Sequence, residues 1–404
     1  MHVFIITQYF PPEIGASASR WGDYSDILIN QNHKVTILCE APHYPFSKFK
    51  MGYKNSWVSV ESKSPNLTII RSKAFASDRK SFIKKITHYL IFMLSAIANS
   101  SKVEKFDMLI ISTPPLFTGI VGLFLNRFRN IDYFLDIRDL WPDSVLELNQ
   151  INKGFFYKVG KKLESKIYEN ASGFIIAVPS FKDYLKKFPS KISRKPMVSL
   201  MNGVSMNFYK KSHSLKVITD PQFTVLYSGN MGLAQDLETI IKAAKILQKY
   251  KIYFRFIGEG VVKSKIEQLA KPFLEKISFH KSMSRTKLIE YIKKSSVCLV
   301  PLKDKKLFES ALPSKMFEYM VCGKPVIASV KGDAKKFIHN AKAGQAIDPE
   351  DPFKLSEAIL AYYNDRNKCE ADGRAGMSYV TENFSKEVLI SKLLNELKSE
   401  QKII

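Results

Sequence analysis

A lysine and a glutamate stand three residues apart in a short, mostly apolar stretch of the chain. In "ALPSKMFEYMVCGKPVIAS", residues 311 to 329, Pro313 and Gly323 are typical of the start and the end of a helix. Residues three apart lie on nearly the same helix face, so Lys315 and Glu318 would present an ammonium and a carboxylate side by side. The carboxylate could accept hydrogen bonds from both hydroxyls of a ribose, and the ammonium could contact a diphosphate. The alternative is an exposed ion pair that only stabilises the helix.

Glycine-containing turns follow strand-like runs in the same half of the chain. Gly229 and Gly232 stand in "GNMGLAQDLETI", directly after an apolar run, and we expect a tight turn here that leads directly into a helix. Such a turn offers free backbone N–H groups and lets a phosphate come close to the chain. Gly258 stands in "FIGEG", at the end of another run, and Gly15 in "YFPPEIGASASR" opens the first helix in a similar way. The alternative is that these turns serve packing alone.

Short β-branched runs alternate with longer helical patterns over almost the whole chain. The strand candidates of the first half are residues 3 to 7, 34 to 40, 67 to 72, 107 to 113, 133 to 137, 173 to 179 and 197 to 203. Those of the second half are residues 223 to 229, 253 to 258, 277 to 282, 297 to 302, 325 to 330 and 344 to 347. Strands that alternate with helices predict parallel sheets covered on both faces. The expected fold class is α/β, with two Rossmann-like doubly wound domains in tandem.

The length of the chain and one polar segment set the expected domain limits. A chain of 404 residues is too long for one ordinary core, so two domains are expected. We predict an N-terminal domain at residues 1–207, a second domain at 208–384, and a closing helix at 385–404 that crosses back to the first domain. Because ligands of open parallel sheets bind beyond the carboxyl ends of the strands, we expect the domains to face each other across a ligand-binding cleft.

The composition argues against several classes of protein. The cysteines lack the spacing of a zinc site or a redox pair, and they are expected to be reduced and buried. The N-terminus lacks the pattern of a signal peptide. The longest apolar run, residues 89 to 98, is about half as long as the ~20 residues that a spanning helix needs. We therefore expect a cytoplasmic protein without a membrane span.

The net charge of +24 is large and evenly spread. Residues 1 to 207 hold 28 basic and 16 acidic residues, which leaves a net charge of +12 in each half of the chain. A nucleic-acid-binding protein would more often concentrate the charge and show a recognisable binding module, so we expect no nucleic-acid partner. The charge reflects either a drift of composition towards lysine or attraction to an anionic membrane or a phosphate-bearing substrate.

Two basic segments of the first half predict contact with a membrane surface. Residues 71 to 105 hold eight basic and two acidic residues around the apolar run, and residues 153 to 195 hold eleven basic and three acidic ones. Cationic helices of this kind bind anionic lipids while they bury apolar side chains. The cations expected to make this contact are Lys84, Lys85, Lys161 and Lys162. The alternative is that residues 82 to 98 form an ordinary core helix with solvated lysines.

Taken together, these motifs resemble those of glycosyltransferases of family 4, which have the GT-B fold. The resemblance covers nearly the whole chain and rests on "NGV" at 202 to 204, "SGNMG" at 228 to 232, "IGEG" at 257 to 260 and "PSKMFEYMVCGKPVIAS" at 313 to 329. The last of these is the most specific. More narrowly, "DIRDLWPDS" at 136 to 144 and "GNMGLAQDLETI" at 229 to 240 resemble bacterial enzymes that build O-antigen or capsular polysaccharide, including N-acetyl-L-fucosamine transferases.

The resemblance implies transfer of a sugar from a UDP-sugar, held mainly by the C-terminal domain, to an acceptor held mainly by the N-terminal domain. A sugar carried on a polyprenyl diphosphate, at the inner face of the cytoplasmic membrane, would be the acceptor. The residues expected to bind the donor are Gly15, Gly229, Asn230, Gly232, Gln235, Gly258, Lys315 and Glu318. Since no D-x-D motif follows a strand as a metal site would require, we expect no cofactor and no metal in the reaction.

Asp139 is the candidate for ordering the acceptor hydroxyl or taking its proton, with Arg138 beside it. Both residues directly follow the strand candidate at 133 to 137, at the edge of the sheet where ligands bind. The alternative is that Asp139 caps the segment that follows the strand. The two residues are therefore the predicted catalytic pair.

Three places depart from the pattern of the family. Ser310 stands where the family usually has a glutamate, eight residues before the one matched by Glu318, and Glu309 is one place away. Asn230 and Gln235 stand where a basic residue and a lysine are usual. The strand that ends in "DIRD" commonly ends in a histidine.

These departures keep two other functions open. One is a lectin-like or regulatory protein that binds a nucleotide sugar without turnover. The other is a nucleotide-sugar epimerase of similar architecture, which would be active without an acceptor.

Overall fold

Two compact units make up the computed structural model. It describes residues 1–13, 15–43, 48–76, 82–103, 105–147, 151–215 and 221–401. Unit 1 comprises Met1–Met201 together with the C-terminal segment from Ile390, and unit 2 comprises Asn202–Leu389. Each unit is built on its own mostly parallel sheet with helices between the strands. The predicted α/β class with two Rossmann-like domains is confirmed.

Within the described residues, unit 1 has an eight-stranded sheet in the order β3-β4-β2-β1-β5-β6-β7-β8. Its strands are β1 His2–Ile6, β2 Lys34–Glu40, β3 Val58–Ser64, β4 Leu67–Ser72, β5 Met108–Thr113, β6 Phe134–Ile137, β7 Gly173–Ile176 and β8 Met197–Ser199. Neighbouring strands are parallel except that β3 runs antiparallel to β4. The central strands are almost wholly buried, as expected for a sheet covered on both faces.

Helices connect the strands of unit 1. They are α1 Ala16–Asn30, α2 Phe82–Asn99, α3 Leu116–Arg129, α4 Asp143–Glu147, α5 Phe155–Asn170, α6 Ser180–Leu185 and α7 Ser190–Ser193. On one side of the sheet α2 packs against α3, and α3 packs against α5. The first basic segment, residues 71 to 105, includes α2, and the second, residues 153 to 195, includes α5, α6 and α7.

In the described part of unit 2 the sheet has six parallel strands in the order β11-β10-β9-β12-β13-β14. The strands are β9 Phe223–Ser228, β10 Ile252–Ile257, β11 Ile277–His280, β12 Val297–Pro301, β13 Val326–Ser329 and β14 Gly344–Ile347. Every strand predicted from the sequence, in either unit, overlaps an observed strand. The prediction missed only β3, whose alternation is weak and whose residues are mostly polar.

The helices from residue 206 onwards are α8 Met206–Ser214, α9 Leu237–Ile246, α10 Lys263–Ala270, α11 Arg285–Lys294, α12 Ser314–Val321, α13 Gly332–Ala341, α14 Pro352–Asn364, α15 Arg366–Asn383 and α16 Lys386–Gln401. The apolar core of unit 2 lies between the sheet and α9, α10 and α14. Gly323 ends α12 in a left-handed conformation, with φ of +71°. No helix in the described ranges is long and apolar enough to cross a membrane.

Candidate active site

The tyrosine that follows Glu318 fixes helix α12 against the end of strand β9. The N–H of Ser228 donates a hydrogen bond to the hydroxyl oxygen of Tyr319 over 2.8 Å, and the two hydroxyl groups lie 2.9 Å apart. Tyr319 is fully buried, so this link is shielded from water. At the entry to the helix, the amide of Asn202 in the "NGV" motif donates to the carbonyl of Leu312 over 3.1 Å. These bonds set the position of α12, and with it that of Lys315 and Glu318.

The ammonium of Lys315 lies close to the glycine turn that follows β9. Its Nζ is 4.0 Å from the centroid of the Tyr227 ring, and a β-carbon built on Gly229 would lie 3.0 Å from it. Gly229 has φ of +126°, a conformation that favours glycine. The hydroxyl of Tyr227 donates to the carbonyl of Asn230 over 2.6 Å, which holds the ring under the ammonium. The structure thus brings the Lys315 ammonium close to the glycine turn.

Lys315 has no hydrogen-bond or ion-pair partner among the described residues. Burial lowers the pKa of its ammonium to about 7, and the charge of nearby Glu318 only partly opposes this shift. Removing a cation from water without a counter-ion favours its neutral form. A bound phosphate would supply the missing negative charge, so the environment of Lys315 suits an anion.

Glu318 does not form the ion pair with Lys315 that was the alternative for this helix. Its Oε1 instead lies 3.3 Å from a guanidinium nitrogen of Arg285, the first residue of α11. The side chains of Glu318 and Arg285 are 25% and 50% exposed, so the pair is in contact with water. The Arg285 guanidinium also lies over the ring of Phe208, 5.0 Å from its centroid. The Glu318 carboxylate is therefore accessible and separate from the Lys315 ammonium.

The turn after β9 differs from the expected cradle of free N–H groups. The N–H of Gly229 donates to the carbonyl of Ile257 over 2.9 Å, and that of Met231 donates to the carbonyl of Glu259 over 2.8 Å. Helix α9 begins only at Leu237, so the turn does not lead directly into a helix. The expectation of an immediate helix start is wrong because the turn pairs with the loop after β10 before the helix can begin.

Asn230 and Gln235 gather around Gly232 inside this turn. The N–H of Gly232 donates to Oε1 of Gln235 over 3.1 Å. A β-carbon on Gly232 would lie 2.7 Å from Nδ2 of Asn230, so both side chains crowd the glycine. Of the four N–H groups from 229 to 232, that of Asn230 alone has no hydrogen-bond partner within the described parts of the chain. Gln235 thus supports the turn, and Asn230 keeps one backbone donor available.

The glycines of "FIGEG" allow two loops to touch through their backbones. A β-carbon on Gly258 would lie 1.9 Å from the carbonyl oxygen of Gly229, and one on Gly260 would lie 2.3 Å from that of Met231. Both glycines have positive φ, +148° and +156°. Gly258 therefore has a packing role, which was the alternative for this motif, and it holds the Gly229 turn in place.

In unit 1, Asp139 holds the start of helix α4. Its Oδ1 accepts a hydrogen bond from the N–H of Leu140 over 2.9 Å, and its Oδ2 accepts one from the hydroxyl of Ser144 over 3.0 Å. Burial raises the pKa of the Asp139 carboxyl, and these hydrogen bonds partly oppose the shift. The capping role, which was the alternative for Asp139, is thus present in the structure.

The neighbouring Arg138 is directed towards backbone carbonyls. Its Nε donates to the carbonyl of Thr113 over 3.2 Å, and a terminal nitrogen donates to that of Pro114 over 2.8 Å. Burial lowers the pKa of this guanidinium. Gly15, the remaining predicted donor residue, lies in the same unit and precedes α1 with φ of +153°. Arg138, Asp139 and Gly15 are therefore in unit 1, and the other predicted site residues are in unit 2.

Asp136 is a buried carboxylate inside strand β6 that was not among the predicted site residues. Its Oδ1 lies 2.8 Å from a guanidinium nitrogen of Arg20, and its Oδ2 accepts hydrogen bonds from the indole of Trp21 over 3.1 Å and the hydroxyl of Ser112 over 2.7 Å. These contacts tie α1 and β5 to β6, just before Arg138. A charged residue within the apolar run "YFLDI" was the signal available in the sequence.

Known proteins resemble this chain in sequence and in fold. The family model for "Glycosyl transferases group 1" matches residues 210–378. The "Putative colanic acid biosynthesis glycosyl transferase WcaI" of Escherichia coli (strain K12) is 22% identical over 338 residues, which cover 80% of this chain and 82% of that protein. The predicted glycosyltransferase class is thereby confirmed, whereas the narrower resemblance to N-acetyl-L-fucosamine transferases stays a prediction.

Solved structures match the fold over almost the whole chain. Sucrose-phosphate synthase from Thermosynechococcus elongatus has a TM-score of 0.75 at 18% identity, covering 98% of this chain and 99% of that one. The Anabaena protein HepE, in complex with UDP-glucose, has a TM-score of 0.68 at 12% identity, covering 99% of this chain and 100% of that one. Residues 210–378 therefore match the model of the group 1 glycosyltransferases, and the chain has the α/β fold of GT-B structures.

Proposed function

We propose that this glycosyltransferase moves a sugar from a UDP-sugar to a lipid-linked saccharide during synthesis of a bacterial polysaccharide such as O-antigen or capsule. The observation that carries the proposal is the ammonium of Lys315, which is half-buried beside Gly229 and has no counter-ion among the described residues. The name of the Escherichia coli relative refers to colanic acid, and HepE was solved with UDP-glucose. Both support a nucleotide-sugar donor and a saccharide product.

The diphosphate of the donor would lie against Gly229 and Lys315. In sugar transfer the bond from the anomeric carbon to the diphosphate breaks, so negative charge grows on the leaving group. Lys315 and the free N–H of Asn230 would stabilise that charge, and fixed donors of this kind commonly contribute about 2.7 to 4 kcal/mol each to lowering a barrier. We propose that this charge stabilisation proceeds without a metal at the diphosphate.

Glu318 would bind the ribose of the donor. Its two carboxylate oxygens can each accept a hydrogen bond from one hydroxyl of the ribose 2′,3′ diol. Arg285 would have to release Oε1, which is a small cost because a solvent-exposed ion pair contributes only about 0 to 1 kcal/mol. Lys315 and Glu318, three residues apart on α12, would then bind the diphosphate and the ribose of one donor.

Asp139 and Arg138 are the proposed acceptor-side residues of unit 1. The raised pKa of Asp139 suits a group that takes a proton from an attacking hydroxyl, since a base works best when its pKa lies nearer the working pH. The Ser144 hydroxyl can rotate away from Oδ2 and leave that oxygen for the acceptor. N-acetyl-L-fucosamine is the proposed transferred sugar, on the strength of the resemblance around "DIRDLWPDS".

An exposed apolar surface on unit 1 supports contact with a membrane. Large apolar side chains of α2, α3 and α5 are exposed to solvent, and they are Ile83, Leu90, Leu94, Phe128, Phe155, Phe156 and Val159. Exposed cations stand among them on the same helices, including Lys84, Arg127, Arg129, Lys158 and Lys162. Apolar side chains that enter the lipid, flanked by cations that meet anionic headgroups, are typical of a peripheral membrane protein. We propose the inner face of the cytoplasmic membrane as the partner, because a polyprenyl diphosphate acceptor would be carried there.

One cation predicted for this surface is engaged elsewhere. Lys161 lies 3.2 Å from Asp143 and 2.5 Å from Glu164, and its side chain is only 30% exposed. It is therefore a structural partner of two carboxylates. Lys158 and Lys162, one on each side of it, are exposed and take its place in the proposed membrane surface.

A transfer assay tests the proposed function. The full chain is incubated with radiolabelled UDP-sugars and with GlcNAc linked to polyprenyl diphosphate in anionic vesicles. We expect label to enter the lipid fraction only when the acceptor is present, and Lys315→Met to remove most of this activity. Donor binding without transfer or hydrolysis would point to a non-catalytic binding protein. Conversion of the donor in the absence of any acceptor would point to an epimerase.

A further inference from the structure

Unit 1 contains a buried cluster of one glutamate and two histidines that the proposed reaction does not use. Glu40 is the last residue of β2, His43 follows three residues later, and His88 lies in α2. All three are at most 3% exposed. Their ligand atoms, one from each residue, lie within 4.8 Å of one another. Two imidazoles and a carboxylate converge on one small volume.

The spacing of this cluster matches the first coordination shell of a metal ion. Nε2 of His88 lies 3.4 Å from Oε2 of Glu40. In a tetrahedral zinc site the ligand atoms lie about 2.0 to 2.2 Å from the ion, which puts neighbouring ligand atoms about 3.4 Å apart. The distance between Nε2 of His88 and Oε2 of Glu40 therefore equals the ligand-to-ligand distance expected in a tetrahedral zinc site.

Backbone carbonyls orient both imidazole rings. Nδ1 of His88 lies 2.9 Å from the carbonyl oxygen of Phe75, which can only accept a hydrogen bond. Nδ1 must then carry the proton, so Nε2 presents its lone pair to the cluster. Nδ1 of His43 lies 3.0 Å from the carbonyl oxygen of Ala41 and 3.7 Å from Oε1 of Glu40. Histidines that bind metals usually donate their other N–H to a carbonyl or a carboxylate.

Gln8 provides an independent observation at the same place. Its Nε2 lies 3.0 Å from Oε2 of Glu40 and 2.6 Å from Nε2 of His88, so the amide reaches into the centre of the cluster. Its Oε1 is buried and has no hydrogen-bond partner among the described residues. A buried oxygen without a hydrogen bond destabilises the folded protein. Rotation of the amide would turn this oxygen towards an ion or towards a water bound to the ion.

We propose that Glu40, His43 and His88 bind a divalent transition metal, Zn²⁺ above all, with Gln8 or a water completing the shell. Imidazole and carboxylate ligands suit Zn²⁺, Co²⁺ and Ni²⁺ better than the oxygen-seeking Mg²⁺ or Ca²⁺. The ion ties the ends of β1 and β2 to α2, and it thereby stabilises unit 1. This site lies in the other unit from Lys315 and does not rest on the proposed function.

Metal content tests the proposal directly. Untagged full chain is incubated with ZnCl₂, dialysed and analysed by plasma mass spectrometry, and we expect about one zinc per chain, as in a single tetrahedral site. His88→Ala and Glu40→Gln, the second of which keeps the volume of the side chain, should bind less than about a tenth as much metal. A double variant at two exposed histidines outside the cluster, His213→Ala/His339→Ala, should keep full binding.

Thermal unfolding with and without zinc gives a second readout. Zinc should raise the Tm of the wild type and of the His213→Ala/His339→Ala control but leave that of Glu40→Gln unchanged, because a ligand stabilises only a protein that binds it. Co²⁺ should give visible absorption bands in the wild type and not in His88→Ala. Wild-type protein that retains less than about a tenth of an equivalent of zinc, or zinc content that is equal in the wild type and Glu40→Gln, would overturn the proposal.

Discussion

The ammonium of Lys315 rests 4.0 Å from the centroid of the Tyr227 ring. A cation over an aromatic face is stabilised by about 0.5 to 2 kcal/mol, which is less than a full counter-charge would supply in a buried site. The lowered pKa of Lys315 is consistent with an aromatic ring that stabilises the ammonium less than a counter-ion would. The Tyr227 ring thus holds the Lys315 ammonium in place for an anionic ligand.

Replacing Glu318 should weaken donor binding and leave the fold intact. We expect Glu318→Ala to lose hydrogen bonds to the ribose, each worth on the order of 1.5 to 3 kcal/mol, as measured by calorimetric titration with UDP. The Tm should hardly move, because the Arg285 pair is exposed to water. Glu370→Ala, which removes an exposed partner of Arg374 in the same unit, is the control and should bind UDP normally. Unchanged UDP affinity in Glu318→Ala would remove this residue from the site.

A side chain at Gly258 should disrupt the turn that holds the site. Gly258→Ala would place a β-carbon 1.9 Å from the carbonyl oxygen of Gly229, in a backbone conformation that disfavours alanine. We expect the free energy of unfolding to fall by more than about 1 kcal/mol, together with a loss of UDP affinity. Gly154→Ala is the matched control, because a β-carbon there meets nothing within 4 Å. Equal denaturation midpoints for the two variants would contradict the close approach of the two loops.

The buried carboxylate of Asp136 should matter for the stability of unit 1. Asp136→Asn keeps the shape of the side chain but leaves Arg20 buried without its counter-charge. Breaking a buried ion pair from one side costs about 3 to 5 kcal/mol, and urea denaturation should show a loss of this size. Asp304→Asn, which breaks the exposed pair with Lys331, should cost at most about 1 kcal/mol. If Asp136→Asn lowered the free energy of unfolding no more than the control does, the ion pair of Asp136 and Arg20 would not be important for the stability of unit 1.

The apolar and cationic surface of unit 1 should bind anionic vesicles. We expect the wild type to sediment with them at low salt and to be released as salt rises, because the lysines meet anionic headgroups. Lys158→Glu/Lys162→Glu should weaken this binding while UDP binding stays intact. The same charge change on exposed lysines of unit 2, Lys245→Glu/Lys249→Glu, should have little effect. Equal vesicle binding by the two double variants would mean that the net charge reflects a drift of composition towards lysine and not attraction to a membrane.

Local patterns were sufficient for most of the fold. Buried parallel strands are continuous β-branched runs, and these are visible in the sequence, as in "VFII" of β1. β3 was missed because it pairs on only one side, with β4, and its residues are largely polar. The helix that carries Lys315 and Glu318 was also predictable, since its start and end signals are local.

The details of the site depend on partners that are distant in sequence. The N–H groups of Gly229 and Met231 donate to carbonyls that lie almost thirty residues later in the chain. The sequence of the turn alone could not predict that these two donors are already engaged. The same is true of Arg285, which pairs with Glu318 from another helix. Asp136 meets Arg20 and Ser112 only because the sheet brings β5, β6 and α1 together.

Titration of the protein with UDP at two pH values, in the wild type and in Lys315→Met, tests the central claim most directly. The pKa of Lys315 is about 7 in the free protein, so the ammonium carries its charge below that pH and must take up a proton to bind an anion above it. The measured quantity is the ratio of the UDP affinity of the wild type to that of Lys315→Met at the same pH. This ratio should therefore be larger one pH unit below this pKa than one unit above it. Lys315→Met, titrated at the same two pH values, corrects for the part of the pH dependence that does not involve Lys315. Lys331→Met, which removes an exposed lysine, should behave as the wild type does. Equal UDP affinity in the wild type and Lys315→Met at both pH values would contradict the account.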